Sequence, residues 1–220
     1  MTPPTLYDYA ASANCLKVRV LFGLLGRDYR RVAVDIFDGD TLTDEYGALN
    51  PLRETPVLVT GDGEVVTQSN AILWFLAEGT PFLPADALSR ARVVQWLLFE
   101  QERVMPGIGN PRFRLLTGRA ALDPAGVAAR QETGREALAI LAAKLATRPF
   151  LVGAAPTIAD LAVYGYAHVA DEAGIPLAPY AAVTAWIDRL EALPGFANDL
   201  APYPPNAAPG AGRSIYDPRP

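Results

Sequence analysis

The sequence predicts a chain of two parts, an α/β domain with the element order βαβαββα followed by an all-helical domain. Alternating β-branched and aromatic residues flank an amphipathic stretch near the N-terminus, and a Gly-Asp-Gly turn then joins two short apolar runs. Nothing strand-like follows residue 87. We expect a first domain at 1–79, a linker at 80–86, a second domain at 87–200 and an extended tail at 201–220.

The first domain begins with a strand–helix–strand unit. Residues 5–9 and 29–36 alternate as strands do, and residues 15–26 repeat apolar side chains at helical spacing. Ser12 and Asn14 are both candidate N-caps of this helix. Two strands joined by a helix in about thirty residues predict a parallel pair with a right-handed crossover.

An antiparallel hairpin and another helix complete this domain. The polar stretch 38–49 predicts a loop with one short helix. Short strands at 56–60 and 64–67 are joined by the Gly-Asp-Gly turn, which favours a tight hairpin. A helix is then predicted to begin at Ser69 and to end before Gly79.

The second domain is predicted to contain helices at 87–104, 124–147, 157–173 and 180–193. Pro106 and the residues after it should kink or break the first of these helices. The stretch from Thr157 to Asp160 is a capping box with aspartate in the usual glutamate position. The proline-rich tail should lie extended on the surface.

Charge and composition exclude several classes of function. The net charge of -5 argues against nucleic acid or an anionic membrane as the main partner. No apolar run approaches the ~20 residues of a membrane span. One cysteine allows no internal disulfide, which fits the cytoplasm, and one histidine makes His-based metal sites and Ser-His-Asp catalysis improbable.

Three local features are candidates for ligand binding. Thr55-Pro56 fits a trans proline that starts an edge strand, or a cis proline that leaves the Thr55 backbone free to pair with a peptide-like ligand. Gln68-Ser69-Asn70 is a helix start that can cap itself or bind a carboxylate. Ser12 is a cap or a hydrogen-bond donor to a bound thiolate. We expect Cys15 to be a small buried apolar residue rather than a reactive thiol.

Taken together, the chain resembles the glutathione S-transferase family of cytosolic, bacterial-like type. The resemblance lies in NPLRETPVL, QSNAILWFLAE and TIADLAVYGY, and it covers nearly the whole chain. It implies the glutathione transferase fold, a thioredoxin-like domain plus an all-α domain, in a homodimer with its glutathione site at the domain cleft.

The resemblance also implies roles for individual residues. Pro56 matches a cis proline, and Thr55 matches the residue whose backbone pairs with the cysteinyl part of glutathione. Gln68 and Ser69 match the pair that binds the γ-glutamyl end. Arg53 stands where many members have glycine and can supply a positive charge for the glycyl carboxylate.

The residue that activates the thiol has more than one candidate. The stretch AASANCLKVRV resembles the serine-type classes, which assigns this role to Ser12. Asn14 is an alternative, because some bacterial members use asparagine or threonine and act on disulfides. Tyr7 and Tyr9 are alternatives from the tyrosine-type classes.

The second-substrate pocket is expected to be lined by the region 105–116 with Arg112, and by Tyr164 or His168. Tyr203 and Tyr216 of the tail are expected to cover either this site or the dimer partner.

The implied function is a glutathione transferase, with glutathione as co-substrate and no metal. Its thiolate would attack an electrophilic small molecule. A glutathione-dependent disulfide reductase or peroxidase is the first alternative. A non-catalytic binding module of the same fold is the second.

Overall fold

The computed structural model describes residues 2–216, so that Met1 and residues 217–220 of the predicted tail lie outside the described part. Its strands are β1 Thr5–Asp8, β2 Arg30–Ala33, β3 Val57–Val59 and β4 Val65–Thr67. Its α-helices are α1 Ala13–Leu25, α2 Asp44–Leu49, α3 Ser69–Ala77, α4 Ala87–Phe99, α5 Asn110–Leu116, α6 Pro124–Leu145, α7 Ile158–Ala167 and α8 Ala181–Glu191.

The strands form one sheet in the order β2-β1-β3-β4. Parallel pairing places Thr5 opposite Arg30, and antiparallel pairing places Tyr7 opposite Val57. The hairpin of β3 and β4 is antiparallel, as the Gly-Asp-Gly turn predicts. The sequence prediction of a βαβαββα unit followed by helices is therefore confirmed.

A continuous apolar core joins the two halves of the chain. It includes Leu16 of α1, Ile72 of α3, Ile158 of α7 and Trp186 of α8, each of which is fully buried. Helix α1 packs against both α3 and α7, so its N-terminus lies where the two halves meet.

The predicted capping box anchors this core. The Asp160 carboxylate accepts the backbone N–H of Thr157 at 2.9 Å, as the motif predicts. It also accepts the Leu151 N–H at 2.9 Å and the Trp186 indole N–H at 3.0 Å. One buried carboxylate thus joins the start of α7 to α8 and to the preceding loop.

The sequence predicts a kink or a break at Pro106, and the helix is not broken there. After Phe99 the chain continues as a π-helical segment, Glu100–Gly109, and runs directly into α5. The N–H of Asn110 donates to the Met105 carbonyl, one residue further back than in an α-helix. We attribute the continuity to these wider turns, which accommodate a proline ring that would clash in an α-helix.

Two other predicted segments also differ. The helix predicted at 157–173 ends at Ala167, and a 3-10 turn at Asp171–Ala173 follows. The tail lies against the surface of the protein, but it is partly folded rather than extended throughout. It contains the 3-10 turn Pro205–Ala207, buries Ala207, and donates the Arg213 N–H to the Phe37 carbonyl at 2.7 Å.

Candidate active site

A cavity of about 400 Å³ lies where the two halves of the chain meet. It is bounded by the N-terminal ends of α1 and α3, the segment before β3, the π-helical segment with α5, and the tail. Its lining residues are Tyr9, Ser12, Asn14, Ile36, Asn50, Arg53, Glu54, Thr55, Pro56, Gln68, Ser69, Gln101, Met105, Gly109, Asn110, Phe113, Tyr166, Tyr203 and Tyr216.

Thr55 presents an unpaired peptide unit to this cavity. The Thr55-Pro56 bond is cis, as the family resemblance implies. Within residues 2–216, the backbone N–H and C=O of Thr55 have no hydrogen-bond partner. The carbonyl of the preceding Glu54, in contrast, accepts from Tyr46 Oη at 3.0 Å and Asn50 Nδ2 at 2.8 Å. A peptide-like ligand can therefore pair with Thr55 without displacing an existing bond.

The N-terminus of α3 faces the same cavity. Gln68 precedes the helix with a φ of 69°, a region that costs a non-glycine residue about 1–3 kcal/mol and is concentrated at ligand sites. Ser69 is the first residue of α3, and its hydroxyl donates to Asn14 Oδ1 at 3.3 Å. The positive end of the helix dipole makes this position favourable for a carboxylate.

Ser12 is the N-cap of α1. Its Oγ accepts the backbone N–H of Cys15 at 3.3 Å, which confirms the predicted cap. Because this bond uses the oxygen as an acceptor, the hydroxyl proton is left for a second partner. The helix dipole favours an anion as that partner.

Asn14 lies beside Ser12 and connects α1 with α3. Its Oδ1 accepts from Lys17 Nζ at 2.9 Å and from the Ser69 hydroxyl. The Asn14 side chain is partly exposed to the cavity. Both thiol-activating candidates of α1 are thus brought to one wall.

Arg53 lies at the rim with a positive φ of 58°. Its Nη1 donates to the carbonyls of Thr41 at 2.8 Å and Thr43 at 2.7 Å. These partners are neutral, so they fix the guanidinium without cancelling its charge. The exposed carboxylate of Glu54 follows directly, so the rim carries both signs of charge.

The opposite wall of the cavity is aromatic. It is formed by Tyr9, Phe113, Tyr166, Tyr203 and Tyr216. The Phe113 ring lies 5.8 Å from that of Tyr203 and 5.0 Å from that of Tyr216. Burial raises the pKa of Tyr216 to about 12 and also raises the pKa values of Tyr9, Tyr166 and Tyr203. These phenols are therefore protonated at neutral pH. We call these five residues the aromatic wall.

Tyr7 and Tyr164 do not reach the cavity, contrary to prediction. The Tyr7 ring packs edge-on against Tyr46, with centroids 6.1 Å apart. Tyr164 is buried, donates its hydroxyl to Glu191 at 2.6 Å and stacks on His168 at 4.2 Å. On α7 it is Tyr166 that lines the cavity, because residues two apart on a helix point about 200° apart.

Arg112 braces the aromatic wall from behind instead of lining the cavity. Its Nε donates to Glu172 at 2.5 Å, and Nη1 donates to the Ala11 carbonyl at 3.3 Å. Its guanidinium lies 5.1 Å from the centroid of the Tyr203 ring. The correction follows from burial, since only 2% of Arg112 is exposed.

Cys15 is the buried filler that its sequence context predicts. Its Sγ accepts the backbone N–H of Tyr9 at 3.4 Å. Burial raises the pKa of the Cys15 thiol to about 12. The thiol therefore remains protonated at neutral pH, which makes it a poor nucleophile.

Sequence reasoning missed Gln101 and Tyr166 as cavity residues, and it placed Asn110 there only as part of the region 105–116. Gln101 and Asn110 lie in or next to the π-helical segment, whose turns shift the side chains out of α-helical register. Tyr166 stands in the motif TIADLAVYGY, two residues after Tyr164. Two tyrosines at this spacing point to different sides of a helix, which was the sequence signal that one of them could face the cavity.

Within the described residues, no cluster of histidine, cysteine, aspartate or glutamate side chains could hold a metal ion. None of the described helices combines the length and the apolar character needed to cross a membrane.

Comparisons with known proteins agree with this architecture. Residues 11–78 match the glutathione S-transferase N-terminal domain, and residues 124–189 match its C-terminal domain. Glutathione S-transferase 3 of Zea mays is 34% identical, over 93% of this chain and 97% of that protein. A disulfide-bond oxidoreductase of Escherichia coli, YfcG, is 27% identical over 84% and 89% of the two chains.

A solved glutathione S-transferase from Xanthobacter autotrophicus is also similar. It superposes with a TM-score of 0.85 at 41% identity, over 90% of this chain and 97% of its own. The similarity to these proteins extends across both halves of the chain. The chain therefore belongs to the glutathione S-transferase family.

Proposed function

We propose that this protein is a glutathione transferase that activates the glutathione thiol for attack on an electrophilic small molecule. One observation carries the proposal. A single cavity joins the unpaired backbone of Thr55, the start of α3 at Ser69 and the N-cap hydroxyl of Ser12. A tripeptide with terminal carboxylates and a central thiol needs these three kinds of partner.

Each part of glutathione has a candidate partner in this arrangement. The cysteinyl unit pairs with the Thr55 backbone as an added strand. The γ-glutamyl carboxylate lies at the N-terminus of α3, with Gln68 and Ser69. The glycyl carboxylate faces the Arg53 guanidinium.

The chemistry follows from the place of the sulfur near Ser12. The thiol proton passes to solvent, and the Ser12 hydroxyl donates to the resulting thiolate. A sulfur lone pair then forms a carbon–sulfur bond with the electrophile, and the leaving group departs with its bonding electrons. A thiol pKa lowered by about two units corresponds to roughly 2.7 kcal/mol, which one or two charge-assisted hydrogen bonds can supply. The aromatic wall faces the electrophile.

The test is an ultraviolet titration of the thiolate of bound glutathione, together with conjugation of a model aryl halide. We expect a bound-thiol pKa about two units below that of free glutathione, and measurable conjugation. Glutathione binding with an unshifted pKa and no turnover would instead indicate a non-catalytic binding module.

A second candidate reaction is reduction of mixed disulfides. It is favoured by Asn14 beside Ser12 and by the similarity to a protein named as a disulfide-bond oxidoreductase. Here the glutathione thiolate attacks one sulfur of the disulfide, and the other sulfur leaves as a thiolate. A second glutathione thiolate then attacks the glutathione sulfur of the new mixed disulfide, which forms oxidised glutathione and releases the remaining substrate sulfur as a thiolate. Faster turnover of a mixed disulfide than of an aryl halide would favour this reaction.

We also propose that the protein is a cytoplasmic homodimer. Cation–π contact of Arg90 with Trp74, at 4.8 Å, joins α4 to α3. Phe75 of α3 and Val94 and Leu98 of α4 are exposed by 50%, 41% and 56%. A partner subunit that covers these side chains would remove apolar surface from water. Light scattering should give twice the chain mass, and Leu98→Asp should give the monomer mass.

A further inference from the structure

A buried ion pair lies directly behind the polar side of the cavity. Lys17 of α1 and Glu100 of the π-helical segment are both fully buried, and Lys17 Nζ lies 2.8 Å from Glu100 Oε1. The ammonium also donates to Asn14 Oδ1 at 2.9 Å and lies 5.3 Å from the centroid of the Tyr166 ring. Two of the three N–H donors of Lys17 therefore have an oxygen acceptor, and the charge also lies near an aromatic ring.

Glu100 extends this cluster to α3. Its second oxygen accepts from Asn70 Nδ2 at 2.9 Å and from Gln101 Nε2 at 2.8 Å. Burial lowers the pKa of Lys17, and the Glu100 carboxylate acts in the opposite direction. Buried ion pairs are often no more stabilising than apolar residues of the same size. Stability alone therefore does not account for this pair.

The ion pair determines which way the Asn14 amide faces. An ammonium can only donate hydrogen bonds, so the Asn14 atom that contacts Lys17 must be the oxygen. The Ser69 hydroxyl contacts the same oxygen. The Nδ2 group is then on the other branch of the amide, and within residues 2–216 it has no hydrogen-bond partner. The buried positive charge on the oxygen side also polarises the amide and strengthens its N–H as a donor.

We infer that Lys17 is a positioning residue for thiol activation, which orients the Asn14 carboxamide so that Nδ2–H donates to the glutathione sulfur beside Ser12. This inference rests on the proposed glutathione chemistry. Glu100 supports it by holding the Lys17 ammonium in place. The thiolate then has two donors, one from each of the two candidate residues of α1.

Gly165 of α7 offers a way to move Lys17 without changing any charge. A Cβ atom at this position would lie 2.6 Å from Lys17 Cε, 2.8 Å from Cγ and 3.2 Å from the Ala13 carbonyl oxygen, so the flexible lysine stem is the neighbour that must move most. The absence of a side chain at Gly165 therefore leaves space for the methylene groups of Lys17. Gly165→Ala should displace the ammonium from Asn14 while it favours the helical conformation of α7.

The experiment measures the pKa of the bound glutathione thiol, the glutathione Kd and the Tm. Lys17→Met alone would leave an unpaired buried carboxylate, so the main variant combines Lys17→Met with Glu100→Gln. We expect the Lys17→Met/Glu100→Gln double variant to raise the pKa of the bound glutathione thiol by about one unit, and Gly165→Ala to do the same by itself. At a pH below the thiol pKa, this shift lowers the thiolate fraction roughly tenfold. The glutathione Kd should stay within about threefold.

A matched control removes another buried ion pair of the same helix. Arg19 and Asp8 are 2.6 Å apart, buried and outside the cavity. Arg19→Met with Asp8→Asn should lower the Tm without changing the bound-thiol pKa. A Lys17–Glu100 double variant with a lowered Tm and an unchanged thiol pKa would overturn the inference.

A double-mutant cycle ties the effect to Asn14. If Lys17 acts through Asn14, adding Lys17→Met and Glu100→Gln to Asn14→Ala should not shift the bound-thiol pKa further. Additive pKa shifts would show that Lys17 does not act through Asn14. The wild-type protein separates the two proposals. If it binds no glutathione, or leaves the thiol pKa unshifted, the proposed function itself fails.

Discussion

The two walls of the cavity are assembled differently. The polar wall consists of Ser12, Asn14, Thr55, Gln68 and Ser69, and it is made at helix starts and at a proline, where local sequence determines the backbone. The aromatic wall draws its rings from the end of β1, α5, α7 and the tail, which only the tertiary fold brings together. The polar wall leaves donors and acceptors free, whereas the aromatic wall is closed by ring contacts. The difference suggests that binding of glutathione and choice of electrophile can be altered separately.

The largest effect should come from Ser12→Ala in the polar wall. Loss of a hydrogen bond to a charged sulfur costs about 1.5–3 kcal/mol, which corresponds to a roughly 10- to 100-fold fall in kcat/KM. The fall should be similar for every electrophile, because the thiolate is common to all of them. Steady-state kinetics with two unlike electrophiles measures it.

Ser12→Ala removes both the hydrogen-bond donor to the sulfur and the N-cap of α1, so a control must separate these two losses. Asp86 caps α4 outside the cavity by accepting the Ser89 N–H at 2.9 Å. Asp86→Ala should lose a similar cap energy of about 1 kcal/mol without loss of rate. Equal rates for Ser12→Ala and the wild type would assign thiol activation elsewhere.

A smaller and more selective effect is expected from Tyr203→Ala in the aromatic wall. The Tyr203 ring contacts those of Tyr9 at 6.4 Å and Phe113 at 5.8 Å. Its loss should raise the KM for an aryl electrophile about fivefold to tenfold, because an aromatic contact is worth roughly 0.5–1.5 kcal/mol. The glutathione Kd should change by less than about twofold. Calorimetry and steady-state kinetics give the two constants.

Tyr216→Phe is the matched control, since it keeps a ring in the wall and removes only a hydroxyl. It should leave the electrophile KM close to that of the wild type. If Tyr203→Ala weakens glutathione as much as the electrophile, the two walls are not separable.

The polar wall could be predicted from sequence because its determinants are local. Ser12 stands before an apolar helix, and Gln68 and Ser69 stand between a strand and a helix. In both places the local sequence determines where the helix begins and how it is capped. For Thr55-Pro56 the local sequence fits either isomer, and only the family resemblance implies cis. The interaction of Lys17 with Glu100 was not predictable, because the two residues are distant in sequence.

The sequence predicts the region 105–116 and the tail as parts of the aromatic wall, but it selects the wrong tyrosine of α7, for a physical reason. All residues of α7 except Tyr166 are buried, so no polar face shows which tyrosine meets the cavity. The proline-rich tail gives no periodicity, and its attachment depends on contacts with distant residues such as Phe37. Arg112 was expected at the surface of the cleft, but its cation is buried beneath the tail.

The smallest effect is expected where the two walls meet, at Tyr9. Its ring belongs to the aromatic wall, and its hydroxyl is the donor to the sulfur that the tyrosine-type classes would imply. Burial, together with the nearby Asp35, raises the pKa of Tyr9, so its phenol stays protonated at neutral pH and can act only as a hydrogen-bond donor. The hydroxyl oxygen is buried rather than exposed to the cavity, which argues against contact with the sulfur. It also has no hydrogen-bond partner among the described residues.

Tyr9→Phe should therefore leave kcat, both KM values and the pH–rate profile unchanged within about twofold. Because a buried unpaired hydroxyl costs about 1–3 kcal/mol, its removal should leave the Tm unchanged or raise it by a few degrees. Tyr9→Leu should instead lose stability and raise the electrophile KM, since it removes the ring contacts with Phe37 at 6.0 Å and with Tyr203. A tenfold or greater fall in the rate of Tyr9→Phe would move the hydroxyl to the polar wall and make Tyr9, in place of Ser12, the donor to the sulfur.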